Sequence, residues 1–202
     1  DAHTLPPLGM RLPELQNLKP ITPEETSHGG RMKAAHPELC IMPIEGDAAS
    51  LACYLKRSAK SPGTTKVGLL SMACSGHDGG GVEQGRGAQE ENLWRRPSLP
   101  GHAIPKWDSQ NQPDVIVHPL VFVFRGPEQL GYPFLTEAQD VVVISAAATK
   151  NPDIVVVRDD EEGLHAKYKS PQTRKEMGHL IRRIARTATH YCDDVVLSAL
   201  GC

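Results

Sequence analysis

Two adjacent carboxylates, Glu90 and Glu91, stand a short distance after three consecutive glycines, Gly79-Gly80-Gly81. Glycines in a row permit positive φ and carry no β-carbon, so the backbone can approach a ligand closely. Unpaired N–H groups in such a loop, and at the start of a following helix, favour a bound anion such as a diphosphate. Gln89 adds an amide for orientation. Glu90 and Glu91 add acceptors for sugar hydroxyls and a candidate general acid. A phosphate cradle beside carboxylates suits cleavage of a glycosidic bond on a nucleotide sugar. Other glycine loops fit badly: no Gly-Lys-Ser/Thr closes this one, and its spacing is not G-x-G-x-x-G. The plainest alternative is a glycine loop before a solvated acidic helix start.

These residues need a strand before them and a helix beneath them. The apolar run Val67-Gly68-Leu69-Leu70-Ser71-Met72, within a segment Thr65 to Met72, reads as a buried strand, and Asn92-Leu93-Trp94-Arg95-Arg96 as the helix body. Neighbouring residues on a helix project about 100° apart, so one of Glu90 and Glu91 at most faces a scissile bond squarely.

The segment Ser71-Met72-Ala73-Cys74-Ser75-Gly76-His77-Asp78-Gly79-Gly80-Gly81, followed by Gly87-Ala88-Gln89-Glu90-Glu91, resembles the microbial-type poly(ADP-ribose) glycohydrolase catalytic domain, a branch of the macro domain fold. Leu93 to Leu99 is similar to the family's continuation of the helix, and Pro119 with Val123-Phe124-Arg125 to a second family motif. Ser71 stands where the family has Asn, and Asp78 where it has Pro. The resemblance implies a macro-like three-layer α/β/α sandwich with a mostly parallel mixed sheet, and an ADP-ribosyl hydrolase. It places the diphosphate on Gly79, Gly80 and Gly81, gives Glu91 the acid role with Glu90 on a ribose hydroxyl, and puts Asp47 on the adenine amino group. Gly201 would open a second ligand loop, so the match covers about residues 38 to 202 and stops where that loop begins. No cofactor and no metal are implied. A second reading, a non-catalytic ADP-ribose-binding module, follows from Ser71, Asp78 and the absent closing loop. A partner-binding role for the Pro-rich arm is a weaker third.

Composition bounds the rest. The hydrophobic share of 39% and charged share of 23% over 202 residues fit one globular domain with irregular flanks. With a formal net charge of -2 and basic residues gathered only at Arg182, Arg183 and Arg186, direct nucleic-acid binding is not expected. Five scattered cysteines, an odd number, and no secretory signal point to a reducing cytoplasmic or nuclear setting. No apolar run approaches the ~20 residues that span a bilayer.

Along the chain, residues 1–37 read as a Pro-rich arm and 38–202 as the domain. Leu39 to Ile44 reads as a short strand with Pro43 at an edge or end. Asp47 is the natural N-cap of a helix from Ala48 to about Ser58. Pro97 to Pro113, bearing His102 and Trp107, reads as a long loop of the kind that forms lids. Val115–Val117, Leu120–Arg125 and Asp140–Ala148 read as strands, the last one interior. Ile154–Val157 is a short apolar run before the acidic stretch Arg158 to Glu162, read as a solvated loop. Gln172 to His190 reads as a helix whose apolar face is Met177, Leu180, Ile181, Ile184, Ala185 and Ala188. Val195 to Leu200 reads as a last buried strand.

Overall fold

The computed structural model describes residues 41–74, 79–99, 115–159, 163–198 and 200. A four-stranded sheet runs in the order β2-β3-β1-β6, from β1 (Val67–Met72), β2 (Val115–Arg125), β3 (Phe134–Ala146) and β6 (Asp194–Val196). β1 pairs parallel with β3 and with β6, and β2 pairs antiparallel with β3. The class expected, a mixed sheet between helical layers, is the one found.

Alternation along the central strands sorts the two layers. Val67, Leu69, Val141 and Val143 face α1 (Ala48–Ser58) and α2 (Gln89–Arg95), packing with Ala49, Ala52, Cys53 and Leu93. Leu70, Val142, Ile144 and Ala146 face α3 (Pro171–Tyr191), packing with Met177, Leu180, Ile184 and Ala188. Burial of both sheet faces explains the unbroken β-branched run of β3. Lys56, enclosed near the end of α1, ties that helix to the sheet through Asp140 at 2.8 Å and the Thr65 carbonyl at 2.7 Å.

Caps set the helix starts. The Asp47 side chain accepts from Ser50 N at 2.7 Å, and Ser170 accepts from Thr173 N at 3.3 Å with Pro171 opening α3.

Several expectations need correction. Residues 41–44 form no strand: Ile41 and Met42 are exposed and unpaired with the sheet, and Pro43 removes a donor that a ladder would use. The two runs around Pro119 form one strand, β2, with a register shift between His118 and Val121 that absorbs the proline. Ile154–Val157 belongs to β4 (Ile154–Asp159), which pairs antiparallel with β5 (Gly163–Tyr168), a strand not expected from the sequence although Leu164-His165-Ala166-Lys167-Tyr168 alternates apolar and polar residues. Ile181 and Ala185 are exposed; α3 buries a narrower stripe than its apolar residues would allow. Strand pairing of the last segment ends at Val196, not Leu200. The arm 1–37, with the loop residues His102 and Trp107, lies outside the described residues.

Candidate active site

Helix α2 begins at Gln89 with no side-chain cap, and Glu90 and Glu91 occupy its first turn, where negative charge complements the helix dipole. That position alone would leave them in solvent. Instead Glu90 is 7% and Glu91 6% exposed, because the glycine loop folds over them.

The loop donates to both carboxylates. Glu90 Oε2 accepts from Cys74 N at 2.7 Å and its Oε1 from Gly79 N at 3.1 Å. Glu90 thus joins the end of β1 to the start of the glycine run. Glu91 Oε1 accepts from Gly81 N at 2.8 Å, and its Oε2 makes no hydrogen bond among the described residues. The N–H of Gly80 has no acceptor among them either. Two of the three loop N–H groups therefore face the carboxylates.

Packing explains why glycines stand here. Gly79 and Gly80 have φ of +77° and +58°, in the left-handed region. A β-carbon on Gly79 would come within 2.5 Å of the Trp94 ring, and one on Gly80 within 2.5 Å of Glu91 Oε1. Trp94 and Glu91 both come from α2, so the helix is the surface onto which the loop is moulded. Beyond the loop, a short 3-10 turn at Val82–Gln84 is held by Arg95, which donates to the carbonyls of Val82 at 3.3 Å and Arg86 at 2.5 Å.

Gln89 docks α2 on the sheet. Its Oε1 accepts from Met72 N at 2.9 Å and its Nε2 donates to the Leu70 carbonyl at 2.7 Å, a two-point match to the end of β1. This fixes the height of Glu90 and Glu91 above the carboxyl ends of the strands, the end at which ligands bind in open α/β sheets.

Beside α2 lies a cavity of about 260 Å³. Its walls include Asp47 and Ala48 from the start of α1, Gln89 and Asn92 from α2, Glu128, and Ser198 after β6. It does not include Glu90, Glu91 or the three glycines. Asp47 and Gln89 therefore belong to the cavity, and the acid pair to the space under the loop, with α2 between them.

The sequence did not single out Arg96, yet it is 1% exposed and bonded on every side. It forms an ion pair with Asp47 Oδ1 and donates to Ser50 Oγ at 3.0 Å, the Arg125 carbonyl at 3.2 Å and Asn92 Oδ1 at 3.3 Å. Nothing in the doublet Arg95-Arg96 tells one arginine from the other; which is interior follows from the orientation of α2. Burial pushes the Asp47 carboxyl up, but the Arg96 charge and hydrogen bonds from Ser50 and Arg96 outweigh it and leave the carboxyl below the ordinary range.

Of the remaining residues, Gly201 and Asp78 lie outside the described residues. Ser71 is buried opposite Ser145 in the β1–β3 ladder. No group of three or more His, Cys, Asp or Glu side chains among the described residues has the geometry to hold a metal ion.

Residues 32–106 match the family model for the microbial-type PARG catalytic domain, a stretch that takes in α1, β1, the glycine loop and α2. No curated protein matches the chain. Among solved structures, the chain is similar to poly(ADP-ribose) glycohydrolase (PARG) from Thermomonospora curvata, with 22% identity over 77% of this chain and 55% of that one and a TM-score of 0.53. A Glu-to-Ala mutant of the same protein matches at 22% identity, 77% and 57% coverage and a TM-score of 0.50. PARG from Deinococcus radiodurans, in complex with ADP-ribose, matches at 24% identity over 50% of this chain and 41% of that one, with a TM-score of 0.38. The Thermomonospora matches show that the fold is that of the PARG structures, and the family match shows the resemblance drawn from the glycine loop. The chain spans about half the length of the first of these structures.

Proposed function

We propose that the chain is an ADP-ribosyl hydrolase of the poly(ADP-ribose) glycohydrolase type, with Glu91 as general acid. The observation that carries this reading is the contrast between the two buried carboxylates. Both Glu90 oxygens are held by loop N–H groups, whereas among the described residues Glu91 is held through Oε1 alone. A carboxyl that accepts from Gly81 N through Oε1 can carry its proton on Oε2 and donate it to a leaving oxygen. The family match over residues 32–106 and the fold shared with a poly(ADP-ribose) glycohydrolase support the substrate class.

In this mechanism the ribose C1″–O bond breaks with its electron pair going to the leaving oxygen, which takes the proton from Glu91 Oε2. Charge spreads over the ribose ring as in other oxocarbenium-like transition states. Water then adds to C1″, and its proton returns to Glu91. Glu90 keeps the loop in place through Cys74 and Gly79 and lies beside a ribose hydroxyl. The diphosphate rests against Gly79, Gly80 and Gly81, with the Gly80 N–H as the donor that has no acceptor among the described residues. Asp47 accepts from the adenine amino group in the cavity. Gln89 acts through the seating of α2. The partner is ADP-ribose, or a protein or polymer bearing it. The unpaired thiols of Cys53, Cys74 and Cys192 fit a reducing cytoplasmic or nuclear setting. No described helix is long and apolar enough to cross a membrane.

A second reading, ADP-ribose binding without turnover, is favoured by one observation: the cavity with Asp47 is not lined by either glutamate. Incubation of the chain with ADP-ribosylated protein or polymer separates the two. Release of ADP-ribose supports the hydrolase; saturable binding without release supports the reader.

A further inference from the structure

Arg96 is enclosed at the end of α2, and burial of an ion pair is not by itself a stabilising choice, since an apolar side chain of similar volume often does as well or better. A charge there calls for another reason. Its guanidinium bonds the N-cap of α1 (Asp47), a second residue of α1 (Ser50), the helix that carries Glu90 and Glu91 (Asn92) and the end of β2 (Arg125). The backbone carbonyl of Arg96 accepts from Phe124 N at 3.1 Å and Arg125 N at 3.2 Å, so the base of the side chain is fixed as well. Both the Arg96 bond and the Ser50 N–H bond fall on the same Asp47 oxygen, Oδ1; Oδ2 takes neither. Asp47 lines the cavity.

We propose that Arg96 is a positioning residue for ligand recognition: it holds Asp47 through Oδ1, so that the carboxylate meets a ligand in the cavity as an acceptor-only group and selects a ligand bearing an N–H donor. This rests on the reading of the cavity as the adenine end of an ADP-ribose site. The cap bond from Ser50 N alone leaves the carboxylate free to turn about its last torsion, which is broad for Asp. The planar fork of Arg96, anchored at three other points, removes that freedom. The Asp47 carboxyl, held below its ordinary range by Arg96 and Ser50 against the effect of burial, is then an acceptor at neutral pH. A ligand amine there gains a charge-assisted hydrogen bond; a ligand without it leaves the carboxylate unmatched.

The test compares ADP-ribose with the analogue whose purine carries hydrogen in place of the 6-amino group, by calorimetry. The chains are the unaltered protein, Arg96→Met, Arg96→Lys and Asp47→Ser, each checked by circular dichroism. The unaltered chain should prefer ADP-ribose by about tenfold or more, the worth of one hydrogen bond to a charged group. Asp47→Ser, which retains an N-cap, should bring the preference near one. Arg96→Met should do the same, and Arg96→Lys, whose point charge cannot reproduce the fork, should reduce it at least about threefold. If the arginine variants weaken both ligands equally and leave the ratio unchanged, Arg96 is structural only and the proposal fails. If Arg96→Met does not fold, the ratio in Arg96→Lys decides in the same way. Failure of the unaltered chain to bind either compound overturns the ADP-ribose reading, and this one with it. Binding of both without a preference overturns this one alone.

Discussion

Glu91 Oε1 occupies the place where a β-carbon on Gly80 would project: the two would be 2.5 Å apart. The same Glu91 oxygen accepts from the N–H of the next residue, Gly81. A side chain at position 80 would thus have to displace the carboxylate, in addition to straining the left-handed backbone. Gly85, also left-handed at φ +76°, has nothing within 4 Å of its β-carbon position. Gly80→Ala should displace Glu91 and lower hydrolysis at least about a hundredfold, the low end of a general-acid contribution. Gly85→Ala should cost only the backbone strain, about 1–2 kcal/mol of stability, with turnover retained. Initial rates and melting curves of the two variants check the contrast.

Glu90 bridges the two sides of the loop, at Cys74 N and Gly79 N. Glu90→Gln turns one accepting oxygen into an NH2 group that faces an N–H donor. The expected loss is about 1–3 kcal/mol of stability, as for a buried donor left unmatched. Amide exchange at Gly79 and Cys74 should quicken, while exchange in α3 stays unchanged. Equal exchange rates at the two loop amides would remove the bridging role.

The ion pair of Asp47 gives a pH signature. Because its folded carboxyl lies below the ordinary range, the stabilisation is fully present above the unfolded value of about 3.9 and is lost as the pH falls through the folded one. Asp47→Asn, which still caps a helix, should be less stable than the unaltered chain by a constant margin from pH 6 to 8. The margin should narrow below about pH 4. Denaturant midpoints across that range measure it, and a margin that persists at low pH would assign the loss to packing.

Much of this was legible in the sequence, and for identifiable reasons. The strand–glycine loop–helix succession depends on local signals: apolar run, glycines, and acidic residues in the first turn. Asp47 and Ser170-Pro171 are local too, since a cap bonds within its own turn. What escaped depends on partners distant in the chain. Arg96 is interior because α1 brings Asp47 and Ser50 to it from more than forty residues away. Gln89 reads as a ligand-facing amide until β1 is placed beside it, when its two amide atoms match Met72 N and the Leu70 carbonyl. The β4–β5 hairpin was missed because neither strand buries a regular face, with Val156 and Leu164 both exposed.

The thiols offer an independent check on packing. Burial pushes Cys53 up to about 11, with Arg96 and Arg57 offsetting it in part; burial and the Asp193 charge push Cys192 up to about 11. Both should remain thiols at pH 8, since the thiolate is the reactive form, and should react with iodoacetamide far more slowly than a free cysteine. Mass mapping of alkylated peptides over time measures this. Prompt labelling of Cys53 would mean that the α1 layer opens readily.

The most direct measurement pairs binding with turnover in Glu91→Gln. The change retains the shape of the side chain and an oxygen for Gly81 N, and removes the proton that Oε2 would donate. ADP-ribose affinity should stay within about threefold of the unaltered chain, while release of ADP-ribose from modified protein or polymer falls by about 10²–10⁴. Undiminished release from Glu91→Gln would contradict the assignment of Glu91 as the acid.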